Sequence, residues 1–147
     1  MRRIAIVAGA AVLLATAACS PPAEPGLTRP QAVRATPFAQ RDIVISGLRL
    51  RYIDVAPRLE PAAGTVLLIH GHTSRIEEYD GLVPRLAERL RVLVVDLPGS
   101  GYSDKPEREY SLQFYEDILV AFLDALGVGR LHLAGGSMGG NLTLRLA

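Results

Sequence analysis

Three short runs constrain this chain more than any other feature: TVLLIH at Thr65–His70, VLVVD at Val92–Asp96 and LHLAG at Leu131–Gly135. The first two are continuous apolar stretches rich in β-branched side chains. A strand that is apolar on both faces must be covered on both, which is the condition of a parallel sheet layered with helices. The intervening segments supply those helices. Leu82, Val83, Leu86 and Leu90 recur at helical spacing, with Asp80 as the expected N-cap and Pro84 confined to the first turn. Ser111 is placed to cap a second helix, in which Leu112, Tyr115, Ile118, Leu119, Phe122 and Leu126 line one face and Gly127 closes the end. Ahead of the first run, DIVISGLRLRYIDV from Asp42 alternates about Ser46-Gly47 and predicts a hairpin. From Met138 onward another helix begins. A hairpin followed by β-α-β-α-β-turn-α is an α/β architecture with parallel central strands.

The junction between the last strand and the last helix reads Gly135-Gly136-Ser137-Met138-Gly139. A Gly-x-Ser-x-Gly between a buried strand and a helix forces the serine onto a sharp, strained turn at the C-terminal edge of the sheet. Gly135 and Gly139 let strand and helix approach without Cβ clashes. The helix N-terminus favours the negative charge that develops on a carbonyl oxygen under attack. A strand ending in His70-Gly71 delivers an open loop beside the serine. The backbone N–H groups of His72 and Met138 are therefore the expected pair of oxyanion donors. His70 reads as a hydrogen-bonded structural residue beneath the site, and Asp96 as a buried organiser of the turn that Gly99 and Gly101 shape.

LLIHGH, VLVVDLPGSGYSDKP and LHLAGGSMGG resemble, in order and spacing, the N-terminal half of the α/β-hydrolase fold superfamily. They are similar to its His-Gly loop, its Asp-x-x-Gly-x-Gly-x-Ser loop and its nucleophile elbow. The resemblance covers residues 42–147. It implies Ser137 as nucleophile, with Gly136 where a bulkier residue often stands. It also implies that epoxide hydrolases and haloalkane dehalogenases, which place Asp at that position, are poor matches. The expected activity is hydrolysis of an ester or related acyl bond through an acyl-enzyme, on a small-molecule acyl substrate. Acyltransferase, carbon–carbon bond hydrolase and cofactor-free haloperoxidase use the same elbow and stay open. So does a non-catalytic fragment.

A serine hydroxyl needs a base, and the base needs a third group to hold it. In the superfamily both follow the nucleophile, in the order Ser, Asp or Glu, His. Here nothing after Ser137 is acidic or a histidine. His132 opens the strand that leads to the elbow, so five strand residues at about 3.3 Å each hold it roughly 16 Å from Ser137. The chain contains no complete triad. The expectation is an N-terminal portion of a longer hydrolase, truncated after the elbow and inactive alone.

The first residues, MRRIAIVAGAAVLLATAACS, pair two arginines with an apolar stretch from Ile4 to Ala18, the pattern of a signal peptide. That stretch is too short to cross a bilayer as a helix. TAAC, ending at Cys19, resembles the bacterial lipobox with Thr16 in place of the usual Leu. It implies lipidation at Cys19 and an exported, membrane-anchored lipoprotein of a bacterium. The expected organisation is a signal peptide over 1–18, a Pro-rich tether over 19–41 and a partial hydrolase domain over 42–147. Removing Arg2 and Arg3 with the leader leaves 14 basic against 15 acidic residues, interspersed, which argues against a nucleic-acid partner. The sequence carries no metal or phosphate-binding signature, and no cofactor is expected.

Overall fold

The computed structural model describes residues 36–147. The expected leader, Cys19 and most of the tether lie outside the described residues. Strands β1 (Gln40–Ile45) and β2 (Leu48–Val55) form the hairpin. Its turn residues Ser46 and Gly47 have φ of 50° and 78°, the left-handed pair that matches the twist of two antiparallel strands. β1 begins two residues earlier than the sequence pattern suggests. Gln40 and Arg41 pair with Ile53 and Tyr52, so the end of the expected tether belongs to the sheet.

Strands β3 (Thr65–Ile69), β4 (Arg91–Val95) and β5 (His132–Gly135) complete a five-stranded sheet in the order β1-β2-β4-β3-β5. β2 joins β4 antiparallel, while β3 runs parallel to β4 and β5. β3 and β4 each stop one residue short of the expected run, releasing His70 and Asp96 from the ladder into the loops beyond. Both central strands are buried on two faces, as their composition requires. Val66, Leu68, Val92 and Val94 pack with Ile76, Val83 and Ala87 on one side. Leu67, Ile69, Leu93 and Val95 pack on the other against Phe114, Ile118, Leu119 and Phe122 of helix α2 (Leu112–Ala125) and Leu142 of helix α3 (Met138–Leu146).

α2 forms as its sequence predicts. The Ser111 hydroxyl accepts from the Phe114 N–H at 3.2 Å, and Gly127 and Val128 return their N–H groups to the carbonyls of Asp124 and Leu123. Phe114 and Leu123 join the buried face beside the expected residues. The preceding helix departs from expectation. Only Val83–Leu86 is α-helical (α1), its N-cap is Leu82 with no side-chain bond, and Leu82 is 40% exposed. Asp80 does not cap it but accepts from the Thr36 hydroxyl at 2.6 Å. Competition explains the short helix: the carbonyls of Ala87, Glu88 and Arg89 accept from Arg58, Leu59 and Ala63, drawing the backbone outward.

Candidate active site

The elbow is built from backbone constraints. Ser137 has φ 53° and ψ −121°, outside the regions that L-residues ordinarily occupy. Such a conformation costs of order 1–3 kcal/mol and persists only where its surroundings hold it. Here β5 ends at Gly135 and α3 begins at Met138, so the strain falls on the residue between. A Cβ at Gly139 would run into the carbonyl oxygen of Ile69, and one at Gly135 would stand 2.6 Å from the Gly139 carbonyl carbon. Glycine is required at both. Gly136, by contrast, has open space where its Cβ would lie. The Ser137 side chain makes no capping bond to its own helix and is solvent-exposed. Its carbonyl accepts the first helical bond, from Asn141 at 3.1 Å, which leaves the Met138 N–H among the unpaired donors of the first turn.

The loop after β3 packs directly on this turn. A Cβ at Gly71 would sit 3.5 Å from the Ser137 Cβ and 3.6 Å from the Gly136 carbonyl oxygen. His72 follows, exposed, in a tight bend with Thr73 at φ 58° and the Ser74 N–H bonded back to the Gly71 carbonyl. His70 is fully buried. Its Nδ1 lies 2.7 Å from the Gly71 carbonyl, and its Nε2 accepts from the Leu97 N–H at 3.0 Å. That pair of partners places the ring proton on Nδ1, and burial lowers the pKa, so the ring is neutral. His70 thus joins the loops after β3 and β4, in the structural role expected of it.

Asp96 is the second joint. It is fully buried and accepts from the N–H groups of Ile76 and Tyr102 and from Arg51 Nε, at 2.8, 2.8 and 2.7 Å. Gly99 and Gly101 turn the loop beneath it at φ 85° and 51°. Arg51 also forks onto Glu77, with both bonds at 2.9 Å. Burial opposes ionisation of Glu77, but the Arg51 bonds and charge, a backbone bond and the Arg75 charge together outweigh it, and its pKa falls below the ordinary value. Arg51 was legible in sequence only as a polar position in an alternating strand, yet it is 3% exposed. The available signal was its parity, which puts it on the same face as Ile53 and Val55.

Tyr79 is a further residue that the sequence pattern did not reveal. It closes a 3₁₀ turn over Ile76–Tyr79, and its hydroxyl donates to the Ile69 carbonyl at 2.8 Å. Burial pushes the Tyr79 pKa up to about 12, with the Glu78 charge adding to the rise and the Gly136 backbone opposing it. His132, as expected, is held away from the elbow. It pairs with Val66 at the opposite end of β5, its Nε2 beside Gly64 and its Nδ1 buried without a partner. Among the described residues no group of three or more His, Cys, Asp or Glu side chains could hold a metal ion.

Comparison with known proteins agrees with this construction. A family model described as the alpha/beta hydrolase fold matches residues 64–147, more than half of the chain. A 2-hydroxymuconate semialdehyde hydrolase from Pseudomonas sp. strain CF600 is 31% identical over 116 residues, covering 76% of this chain and 39% of the relative. A haloalkane dehalogenase from Psychrobacter cryohalolentis is 38% identical over 104 residues, covering 69% and 33%. The expectation that dehalogenases would match poorly therefore fails for overall likeness. The shared frame dominates the identity, and one residue at the elbow contributes little to it. The crystal structure of a bacterial membrane phospholipase A superposes with a TM-score of 0.68 at 33% identity, covering 74% of this chain and 34% of that one. The chain spans about a third of the length of the relatives it matches. With a sheet, a strained serine turn and a family match that coincide on the same residues, this chain belongs to the alpha/beta hydrolase fold family.

Proposed function

We propose that this chain carries the nucleophile and the oxyanion donors of a serine hydrolase that cleaves an ester or related acyl bond. The observation that supports this best is the backbone of Ser137, an exposed serine held at φ 53° between a parallel strand and a helix N-terminus. In the proposed reaction, Ser137 Oγ attacks the acyl carbonyl while a base takes its proton. The carbonyl oxygen, now negative, is held by the N–H groups of His72 and Met138. Collapse expels the alcohol with that proton, and water then releases the acid from the acyl-enzyme. Loss of one oxyanion donor in such sites costs about 3 kcal/mol of transition-state stabilisation.

Among the described residues no histidine or carboxylate is hydrogen-bonded to the Ser137 hydroxyl. His70 is committed to Gly71 and Leu97, and His132 stands at the far end of β5. The base and the acid are proposed to come from sequence corresponding to the rest of the relatives, which leaves residues 1–147 alone inactive. The phospholipase likeness favours an ester substrate, and the semialdehyde hydrolase keeps a carbon–carbon bond hydrolase as the second reading. Export and anchoring through a lipid on Cys19 are part of the proposal. Cys19→Ser should move the protein out of the membrane fraction, and unchanged fractionation would remove that part. For the chemistry, the full-length protein would be assayed on p-nitrophenyl esters of varied chain length. Ser137→Ala should lower kcat by at least about a thousandfold. Retained turnover in that variant would refute the serine mechanism.

A further inference from the structure

The His72 N–H lies within a short loop, Gly71 to Arg75, in which His72, Thr73 and Arg75 are exposed. Its place matters, because a misplacement of about 1 Å can cost about a hundredfold in rate. Inside the loop the Ser74 N–H reaches the Gly71 carbonyl at 3.3 Å, a long bond that holds little on its own. Position must therefore come from the two ends. At the entry, buried His70 accepts from the Leu97 N–H at 3.0 Å. At the exit, Ile76 is fully buried and its N–H donates to Asp96 Oδ1 at 2.8 Å. Both ends are thus fastened to consecutive residues of the loop after β4.

One guanidinium gathers the anchors at the exit. Arg51 Nε donates to Asp96 Oδ2 at 2.7 Å, while Nη1 and Nη2 fork onto the two oxygens of Glu77 at 2.9 Å each. Nη1 also donates to Gln40 at 2.9 Å, and the Tyr102 ring lies over the guanidinium carbon at 4.4 Å. The Arg51 backbone is fixed as well: its carbonyl accepts from the Asp96 N–H, and its N–H donates to Ser103 Oγ, both at 2.9 Å. The Arg51 and Glu77 side chains are 4% and 11% exposed, so water competes little for the fork. Exposed Arg75 approaches the same carboxylate at 3.5 Å and adds little.

We propose that Arg51 and Glu77 are a positioning pair, which fixes the exit of the His72 loop against the β4 loop and so holds the His72 N–H in place for the developing oxyanion. The proposal rests on the reading of Ser137 as nucleophile and His72 as donor. Neither side chain touches substrate in this account. The planar fork suits the task because it sets direction as well as distance, which a lysine ammonium does not.

The sheet supplies its own control. Arg91 forks onto Asp54 at 2.9 and 2.8 Å, but at the start of β4, the edge opposite Ser137. The test compares Glu77→Gln, Arg51→Lys, Asp54→Asn and Ser137→Ala in the full-length protein, with a p-nitrophenyl ester as substrate and urea midpoints measured beside the kinetics. Glu77→Gln should lower kcat about ten- to a hundredfold with KM changed less than about twofold. Asp54→Asn should lower the urea midpoint and leave kcat unchanged. Arg51→Lys keeps a cation between both carboxylates, preserving the fold should Glu77→Gln lose it, and should show the same loss in kcat at constant KM. Unchanged kcat in Arg51→Lys, or in a folded Glu77→Gln, beside an inactive Ser137→Ala overturns the positioning role and leaves the nucleophile standing. Equal kcat losses in Asp54→Asn and the Arg51 and Glu77 variants also overturn it, since general loosening then explains them all. An active Ser137→Ala overturns the nucleophile reading itself.

Discussion

Two glycines beside Ser137, Gly136 immediately before it and Gly139 two residues after, face opposite demands, and this gives the sharpest residue-scale expectation. Gly139→Ala would drive a methyl group into the Ile69 carbonyl, where only backbone can yield. It should destabilise the fold by about 3 kcal/mol or more, in the range of overpacked or strained core sites. Gly136→Ala meets nothing within 4 Å and should stay within about 0.5 kcal/mol of the parent by urea denaturation. His70 gives a pH dependence with a definite sign. Burial lowers its pKa below the ordinary 6.5, so the unfolded chain binds a proton before the folded one does. Its contribution to stability is complete above pH 6.5 and declines as the pH falls below that value. Urea midpoints should therefore drop from pH 7.5 toward pH 5, and His70→Gln should flatten that slope. A parent protein with midpoints constant over this interval would contradict the burial argument. Both roles were legible in the sequence: Gly-x-Ser-x-Gly between strand and helix requires close approach, and a histidine ending an apolar strand has no water beside it.

Between elements, the decisive contacts are those no periodicity reports. The strands, the hairpin and α2 follow from local composition, because apolar alternation and capping residues act within a few positions. The one-turn α1 did not, since the carbonyls of the residues after it, Ala87, Glu88 and Arg89, are claimed by the 58–63 segment, which sequence patterns cannot place. Arg51 and Glu77 escaped for the same reason: they lie on separate segments that meet only in the fold, at the Asp96 that the sequence marks as a buried turn organiser. Their joint role has a measurable size. Asp96→Ala strips the partners from two backbone N–H groups and leaves one face of the Arg51 guanidinium unpaired in a buried site. It should cost about 3–5 kcal/mol, the range for removing one member of a buried charge pair. A loss under about 1 kcal/mol would show that water replaces the carboxylate and that the two loops are held by packing.

At the scale of the whole molecule, the chain presents the strained Ser137 turn on a sheet in which, among the described residues, β5 pairs only with β3. Beside that edge Val120, Leu123, Val128, Leu131, Leu133 and Leu146 line an apolar groove. The family, the sheet and the turn were readable from three motifs. The substrate was not, because it depends on loops grafted onto the fold and on the two-thirds of the relatives that this chain does not match. The central claim is that a primed serine sits at position 137, and covalent labelling tests it most directly. The full-length protein would be treated with a fluorophosphonate, digested and mapped by mass spectrometry. A single phosphonyl adduct on the Ser137 peptide, lost on prior heat denaturation, is the expected result. An absent adduct, or one on another serine, would contradict the account.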